Sequence, residues 1–179
     1  MPSAERYSDG NGIRITCDGK TDLKLTRVEL ACSAGKRLPP PGSTAAKLLN
    51  LIRDFVQGKP VSLPPDVLDL SPLSDFQLKV LQMLRRKVRR GKVVSYATLA
   101  VMSGSPHGAR AVGGVMRNNL FPLFFPCHRV IASDGTIGGF MGEKDAGCSG
   151  QALKKQLLLN EGVVFLPSGK VTAESIIRL

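Results

Sequence analysis

Four prolines between positions 60 and 72 (Pro60, Pro64, Pro65 and Pro72) limit the fold of this 179-residue chain more than any other feature. Each lacks a backbone N–H and has a fixed φ, so neither a helix interior nor a central strand can run through them. Val61–Pro72 therefore reads as a linker, which gives one domain at 1–70, linker included, and a second at 71–179.

Residues 1–70 read as a small α/β unit, a sheet plus a helix. Gly12–Cys17 and Leu23–Cys32 alternate apolar and polar residues in places, which predicts strands, with Asp18-Gly19 supplying turn chemistry between them. Pro39-Pro40-Pro41-Gly42 breaks the chain. Ser43 then caps a helix with Leu48, Leu49, Ile52 and Phe55 at helical spacing, ended by Gly58-Lys59-Pro60. Nothing catalytic is visible in this part.

The second part reads as mostly α. Ser74 and Gln77 have capping-box spacing ahead of Val80, Leu81, Leu84 and Val88, with Gly91 as the stop. Tyr96–Met102 and Gly108–Asn118, joined through Gly104-Ser105-Pro106, have the spacing of a helix-turn-helix. The second of these holds Gly108-Ala109-Arg110-Ala111-Val112-Gly113-Gly114, nearly all small. Two interior glycines cost about 1 kcal/mol each in an exposed helix, so something must approach closely: a nucleic-acid groove, or the helix's own domain.

Charge separates the two parts. Residues 1–70 carry 10 basic and 8 acidic side chains, whereas 71–179 carry 15 and 6, so +9 of the net +11 lies in the second part. That excess suits a polyanion, although basic proteins can also be merely soluble. Arg85-Arg86-Lys87-Val88-Arg89-Arg90-Gly91-Lys92 concentrates it. Some of that cluster complements a helix C-terminus, but six cations in eight residues exceed what capping needs.

With 42% apolar and 22% charged residues the composition is globular, and no apolar run approaches the ~20 residues of a membrane helix. The expected setting is inside the cell, cytoplasmic, or nuclear in a eukaryote. Cys17, Cys32, Cys127 and Cys148 form no Cys-x-x-Cys pair. A zinc site would have to gather them from afar with His107 and His128, so neither metal nor cofactor is expected.

The most informative stretch is Asn119 to Ile131. A cysteine among bulky apolar residues is usually inert, but Cys127 follows Pro126 and precedes His128. A thiolate is the nucleophile, and a neighbouring histidine can take its proton. Neighbours in an extended strand face opposite ways, so contact would need a bend or a bridging water. Glu161 is the candidate to orient His128. An anion at the end of the helix Gln151–Asn160 opposes the helix dipole, which implies a specific partner. From these residues alone a thiol hydrolase and an alkyl acceptor both remain open.

Pro126-Cys127-His128-Arg129-Val130 resembles the active-site signature of the O6-alkylguanine–DNA alkyltransferases. Ser95-Tyr96, Arg110-Ala111-Val112-Gly113-Gly114, Asn119, Pro122 and Glu161-Gly162 are similar to that family in order and type, so the resemblance spans Ser71–Val164. It implies an irreversible, single-turnover transfer of an alkyl group from O6-alkylguanine in DNA to Cys127. His128 would be the water-relayed base, Glu161 its orienter, and Asn119 a brace for the turn. Tyr96 would press on the phosphate that rotates the nucleotide out and serve the purine leaving group. Arg110 would fill the vacated stack, with Ala109, Ala111, Gly113, Arg117 and Arg129 also touching DNA. Met116, Pro122, Val130, Phe140 and Met141 would line the substrate pocket. The implied partner is double-stranded DNA, entered through the minor groove by a monomer. Leu120 stands where the family usually has proline and Phe140 where several members have tyrosine, and the 140–150 segment is longer than usual.

Overall fold

A computed structural model of the chain describes residues 4–18, 23–30, 36–140 and 150–179. The chain divides into two compact units: residues 1–72 with 120–124, and residues 73–119 with 125–179. It thus leaves the second unit after Asn119 and rejoins it at Phe125, an excursion that no composition change signals.

In the first unit, β1 (Glu5–Ser8), β2 (Ile13–Cys17) and β3 (Leu25–Leu30) form an antiparallel sheet in the order β1-β2-β3. Alternation along β2 turns Ile13, Ile15 and Cys17 to the buried side. There α1 (Thr44–Val56) packs, its stripe of Ala45, Leu48, Leu49, Ile52 and Phe55 also buried. Ser43 caps α1, its hydroxyl accepting from the Ala46 amide at 3.2 Å. β1 has no clear sequence signal, because only Tyr7 marks an apolar position within Glu5-Arg6-Tyr7-Ser8. Of the expected Asp18-Gly19 turn, Asp18 accepts from the Lys24 amide at 3.1 Å, and Gly19 lies outside the described residues.

The proline-rich stretch is not a free tether. Leu63 and Leu68 are buried, Pro65–Val67 makes a 3₁₀ turn, and the Asp69 amide donates to the Leu25 carbonyl at 2.8 Å. Prolines forbid regular elements but not packing, and the intervening leucines supply the apolar surface. The Val28 amide similarly donates to the Leu120 carbonyl at 2.9 Å, which seats the returning 120–124 segment beside β3.

The second unit begins with α2 (Asp75–Lys87), whose capping box is complete: Ser74 accepts from the Gln77 amide, and Gln77 accepts from the Ser74 amide. Val80, Leu81 and Leu84 are its buried face. The helix ends at Lys87 and not at Gly91, because Val88 turns extended (φ −102°, ψ 92°) and Gly91 (φ +76°) shapes the following turn. β4 (Val93–Ser95) then runs straight into α3 (Tyr96–Met102), with Ser95 as cap, and α4 (Ala109–Arg117) packs on α3.

The expectation of a mostly helical second part misses a parallel sheet of order β5-β4-β6, formed with β5 (Val130–Ile131) and β6 (Ile176–Ile177). Strands of two or three residues leave too short a pattern to read. Val93, Ile131, Ile137, Val163 and Val171 form a core with Leu158 of α5 (Gly150–Asn160). Among the described residues no helix is long and apolar enough to cross a membrane.

Candidate active site

Pro126 (φ −76°, ψ 67°) forces a turn where the chain re-enters the second unit. Cys127–Arg129 forms a single 3₁₀ turn closed by the Val130 amide on the Cys127 carbonyl, and the Cys127 amide donates to Phe125 O at 2.7 Å. The chain thus has, at these two residues, the bend that contact between them was expected to need. At three residues per turn, Cys127 and His128 diverge by about 120° and not by 180°. All three residues of the turn are buried, His128 completely. Asn119 ties the two ends of the excursion together, its Nδ2 donating to Phe125 O at 2.9 Å. Its side chain also hydrogen-bonds Cys127.

Glu161 follows α5, its amide bonded back to Leu157 and Leu158 carbonyls before Gly162 (φ +86°) turns the chain away. Its Oε1 lies 3.0 Å from His128 Nε2. Arg129 holds the same carboxylate, donating from Nε to Oε2 and from Nη2 to Oε1, both at 2.7 Å, and from Nη1 to the Val88 carbonyl at 2.8 Å. The early end of α2 is what presents that carbonyl. Burial alone would raise the Glu161 carboxyl. Hydrogen bonds and charge from His128 and Arg129 overcome it and hold the group at about 2.

His128 is pulled below the usual imidazole range, by burial first and then by the cationic Arg129 and Lys154, against the opposing pull of Glu161. The imidazole is therefore neutral. With Nε2 donating to the carboxylate, buried Nδ1 is the ring atom able to accept a proton. Burial pushes the Cys127 thiol up, while the Asn119 side chain, the charge of Lys154 and backbone amides act the other way without prevailing. The resting centre is thus a protonated thiol beside a neutral, carboxylate-oriented base.

The other residues fall into distinct places. Tyr96, first residue of α3, is half-buried and near enough to Cys127 that a thiolate there raises the phenol, second to burial itself. Arg117, which acts on the same phenol in the opposite sense, is exposed, as are Arg110 and Ala111; Ala109 and Gly113 are intermediate. Among the described residues a Cβ added at Gly113 or Gly114 would meet nothing within 4 Å, so packing against them does not account for these glycines. Arg129, expected with Arg110 and Arg117 at DNA, is not exposed as they are: its guanidinium is engaged inside by Glu161 and the Val88 carbonyl. Met116, Val130 and Phe140 are buried in the second unit, Pro122 is buried in the segment that groups with the first, and Met141 lies outside the described residues.

Sequence reasoning misses Lys154. Its side chain is 1% exposed, with Nζ donating to the Val130 carbonyl at 2.7 Å and reaching the Gly139 carbonyl at 3.5 Å. Spacing carries the signal: Lys154 shares the face of Leu157, Leu158 and Glu161, so a lysine falls on the inward stripe of a helix. Of the Arg85–Lys92 cluster, Arg90 donates to the Asn160 carbonyl at 2.5 Å and Lys92 to the Glu174 carbonyl at 2.6 Å, while Arg86, Lys87 and Arg89 are exposed.

Residues 75–163 match the family described as 6-O-methylguanine DNA methyltransferase, DNA binding domain. The methylated-DNA–protein-cysteine methyltransferase of Cricetulus griseus is 49% identical over 88 residues, which are 49% of this chain and 39% of that one. The protein of that name from Methanothermobacter thermautotrophicus is 38% identical over 123 residues, 69% of this chain and 64% of the other. The chain therefore spans about two-fifths of the length of the hamster relative and under two-thirds of the archaeal one. Among solved structures, Mycobacterium tuberculosis OGT in complex with DNA aligns with a TM-score of 0.62 at 26% identity, covering 87% of this chain and 90% of that one.

Proposed function

We propose, for a chain whose residues 75–163 belong to the 6-O-methylguanine DNA methyltransferase DNA-binding family, that Cys127 removes the alkyl group from O6-alkylguanine in DNA and keeps it. The observation that carries this is the joining of Cys127 and His128 in one buried turn, with Glu161 oriented on His128 Nε2 at 3.0 Å. His128 Nδ1 takes the thiol proton through a water. The thiolate attacks the alkyl carbon, forming the S–C bond as the C–O bond breaks, and the guanine leaves with its electron pair and is reprotonated, Tyr96 supplying the hydroxyl at that side. The product is a thioether, which neither water nor a thiol reopens, so one chain removes one alkyl group.

A base inside a duplex cannot meet a buried thiolate, so the nucleotide must be rotated out at a cost of a few kcal/mol. α3 and α4 act as a helix-turn-helix whose small-residue helix enters the minor groove. Gly113 admits the backbone, Ala109 and Ala111 keep the face low, Arg117 meets phosphate, and Arg110 fills the vacated stack. The open space beside Gly113 and Gly114 supports this over internal packing. Met116, Val130 and Phe140 are assigned to the pocket around the extruded base, and Asn119 braces the turn. The protein works as a monomer on double-stranded DNA.

The test is titration with excess duplex carrying O6-methylguanine. Product should plateau at one methyl per chain, with a single added methyl mass on the Cys127 peptide. Cys127→Ser should give none while binding DNA within a few fold of the unchanged protein. Product growing past one equivalent would remove this reading and restore the hydrolase.

A further inference from the structure

The nearly balanced charge of the first unit is not evenly spread. Residues 1–70 carry 10 basic and 8 acidic side chains, yet the outer face of the β1-β2-β3 sheet presents three arginines and one glutamate. Strand pairing gathers them. Arg6, Thr16 and Arg27 stand opposite one another across the three strands, and Arg14, two residues before Thr16 on β2, stands opposite Glu29. Side chains two apart share a face, so this set lies on the side away from Ile13, Ile15, Cys17 and the helix α1 that covers them. A register shift between Thr16 and Cys17 adds Thr26, whose hydroxyl donates to the Thr16 carbonyl at 3.2 Å. The six residues line an open cleft of about 320 Å³.

Other cations of the unit are individually held. Arg37 lies over the Tyr7 ring, Arg53 reaches Asp9 at 3.6 Å, and Lys59 meets Asp54 at 2.6 Å. In the cleft Glu29 serves two arginines at once, 3.5 Å from Arg14 and 3.9 Å from Arg27. Both distances exceed the ~2.7–2.9 Å of a tight charge-assisted bond. Arg6 pairs with no carboxylate among the described residues, and it and Arg27 are exposed. Three guanidiniums against one carboxylate leave the cleft a net charge of +2, with the short Thr16 side chain between Arg6 and Arg27. Like charges on neighbouring strands destabilise a sheet, so solubility alone does not collect them on one face.

We propose that this sheet face binds the phosphates of a nucleic-acid backbone, a contact made by the first unit in addition to the proposed helix-turn-helix of the second. A guanidinium is always charged and its planar fork matches phosphate oxygens two at a time. Glu29 frames Arg14 and Arg27 loosely and leaves each of them N–H groups to donate. Such a contact meets phosphate and reads no base, so it is indifferent to sequence. The choice of nucleic acid as occupant rests on the proposed reaction with DNA, whereas the charge of the cleft stands apart from it.

The test is affinity for an unmodified duplex across a series of salt concentrations. A face of net +2 neutralises about two phosphates, so Arg6→Gln, Arg14→Gln and Arg27→Gln together should flatten the slope of log affinity against log salt by roughly two. Between about 50 and 200 mM salt the triple variant should then lose roughly tenfold less affinity than the unchanged protein does. Glu29→Gln should act the other way, binding more tightly with a slope steeper by about one, and it carries the test if the triple variant fails to fold. An unchanged slope in either folded variant would overturn the proposal. In the unsubstituted protein, duplex should protect the three arginines from phenylglyoxal, read by peptide mass. Protection by polyglutamate and not by duplex would assign the face to an acidic protein segment and overturn the proposal equally. Methyl transfer to Cys127 is read separately: unchanged slopes with methyl on Cys127 sink this inference alone, whereas responding slopes without it count against the alkyl-acceptor reading alone.

Discussion

Replacing Glu161 by Gln isolates the buried carboxylate with little change of shape. The glutamate accepts three hydrogen bonds, from His128 Nε2 and from Nε and Nη2 of Arg129, and its side chain is 2% exposed. Two routes give the size of the loss. An ordinary glutamate at 4.5 that falls to about 2 on folding contributes roughly 3 kcal/mol at neutral pH. Removing one partner of a buried ion pair costs about 3–5 kcal/mol, because the other charge is left uncompensated. Glu161→Gln should therefore be less stable by roughly 3–4 kcal/mol at pH 7, or about 10 °C in Tm for a chain of this size.

The sign of the pH dependence follows from the depressed carboxyl. Its contribution is whole above 4.5 and disappears as the pH falls through about 2. The gap between the two proteins should thus shrink to less than half by about pH 3. Urea unfolding followed by circular dichroism would measure it, with amide exchange over residues 125–161 reporting on the second unit alone. A gap below about 1 kcal/mol at pH 7, or one that stays constant down to about pH 3, would refute the argument that a desolvated Arg129–Glu161 pair holds the turn.

Two further outcomes follow from the proposed DNA contact. Gly113→Ala should be neutral or stabilising by up to about 1 kcal/mol in the free protein, since its Cβ enters open space, yet should weaken duplex binding; unchanged binding would show that no groove approaches that helix. Neutralising Arg86, Lys87 and Arg89 together should flatten the slope of log affinity against log salt by about one for each phosphate left unneutralised, and an unchanged slope would turn that face away from DNA.

The parts of the fold legible in the sequence are those whose signals are local. Ser43 and Ser74 mark helix starts because a cap needs only its own next three residues, and the stripes of α1 and α2 repeat over enough turns to be read. The Val61–Pro72 stretch, which ends where the first unit gives way to the second, is legible only in part, because proline content reports which hydrogen bonds cannot form, not which side chains are buried. Leu63 and Leu68 therefore pack in a segment with little regular structure. The parallel sheet is hidden for another reason: its strands contribute two or three residues each from positions 93, 130 and 176, and only tertiary pairing defines them.

At the candidate site, the signature Pro126–Val130 points to the proposed nucleophile and its neighbour, and the awkward place of an anion after α5 singles out Glu161. The sequence does not say how many groups compete for that carboxylate. Arg129 looks like one more cation in a basic region, and only the ending of α2 at Lys87, which opens the Val88 carbonyl to it, shows that its fork points inward. Lys154 is open to the same reasoning that finds Glu161, since both lie on the buried stripe of α5. Lysines elsewhere in a basic chain suggest solvent or phosphate, and that expectation hides the one whose neighbours on the helix face are Leu157 and Leu158. One face of α5 and the residue after it thus carry a buried cation, held by the Val130 carbonyl, and a buried carboxylate, held by His128 and Arg129.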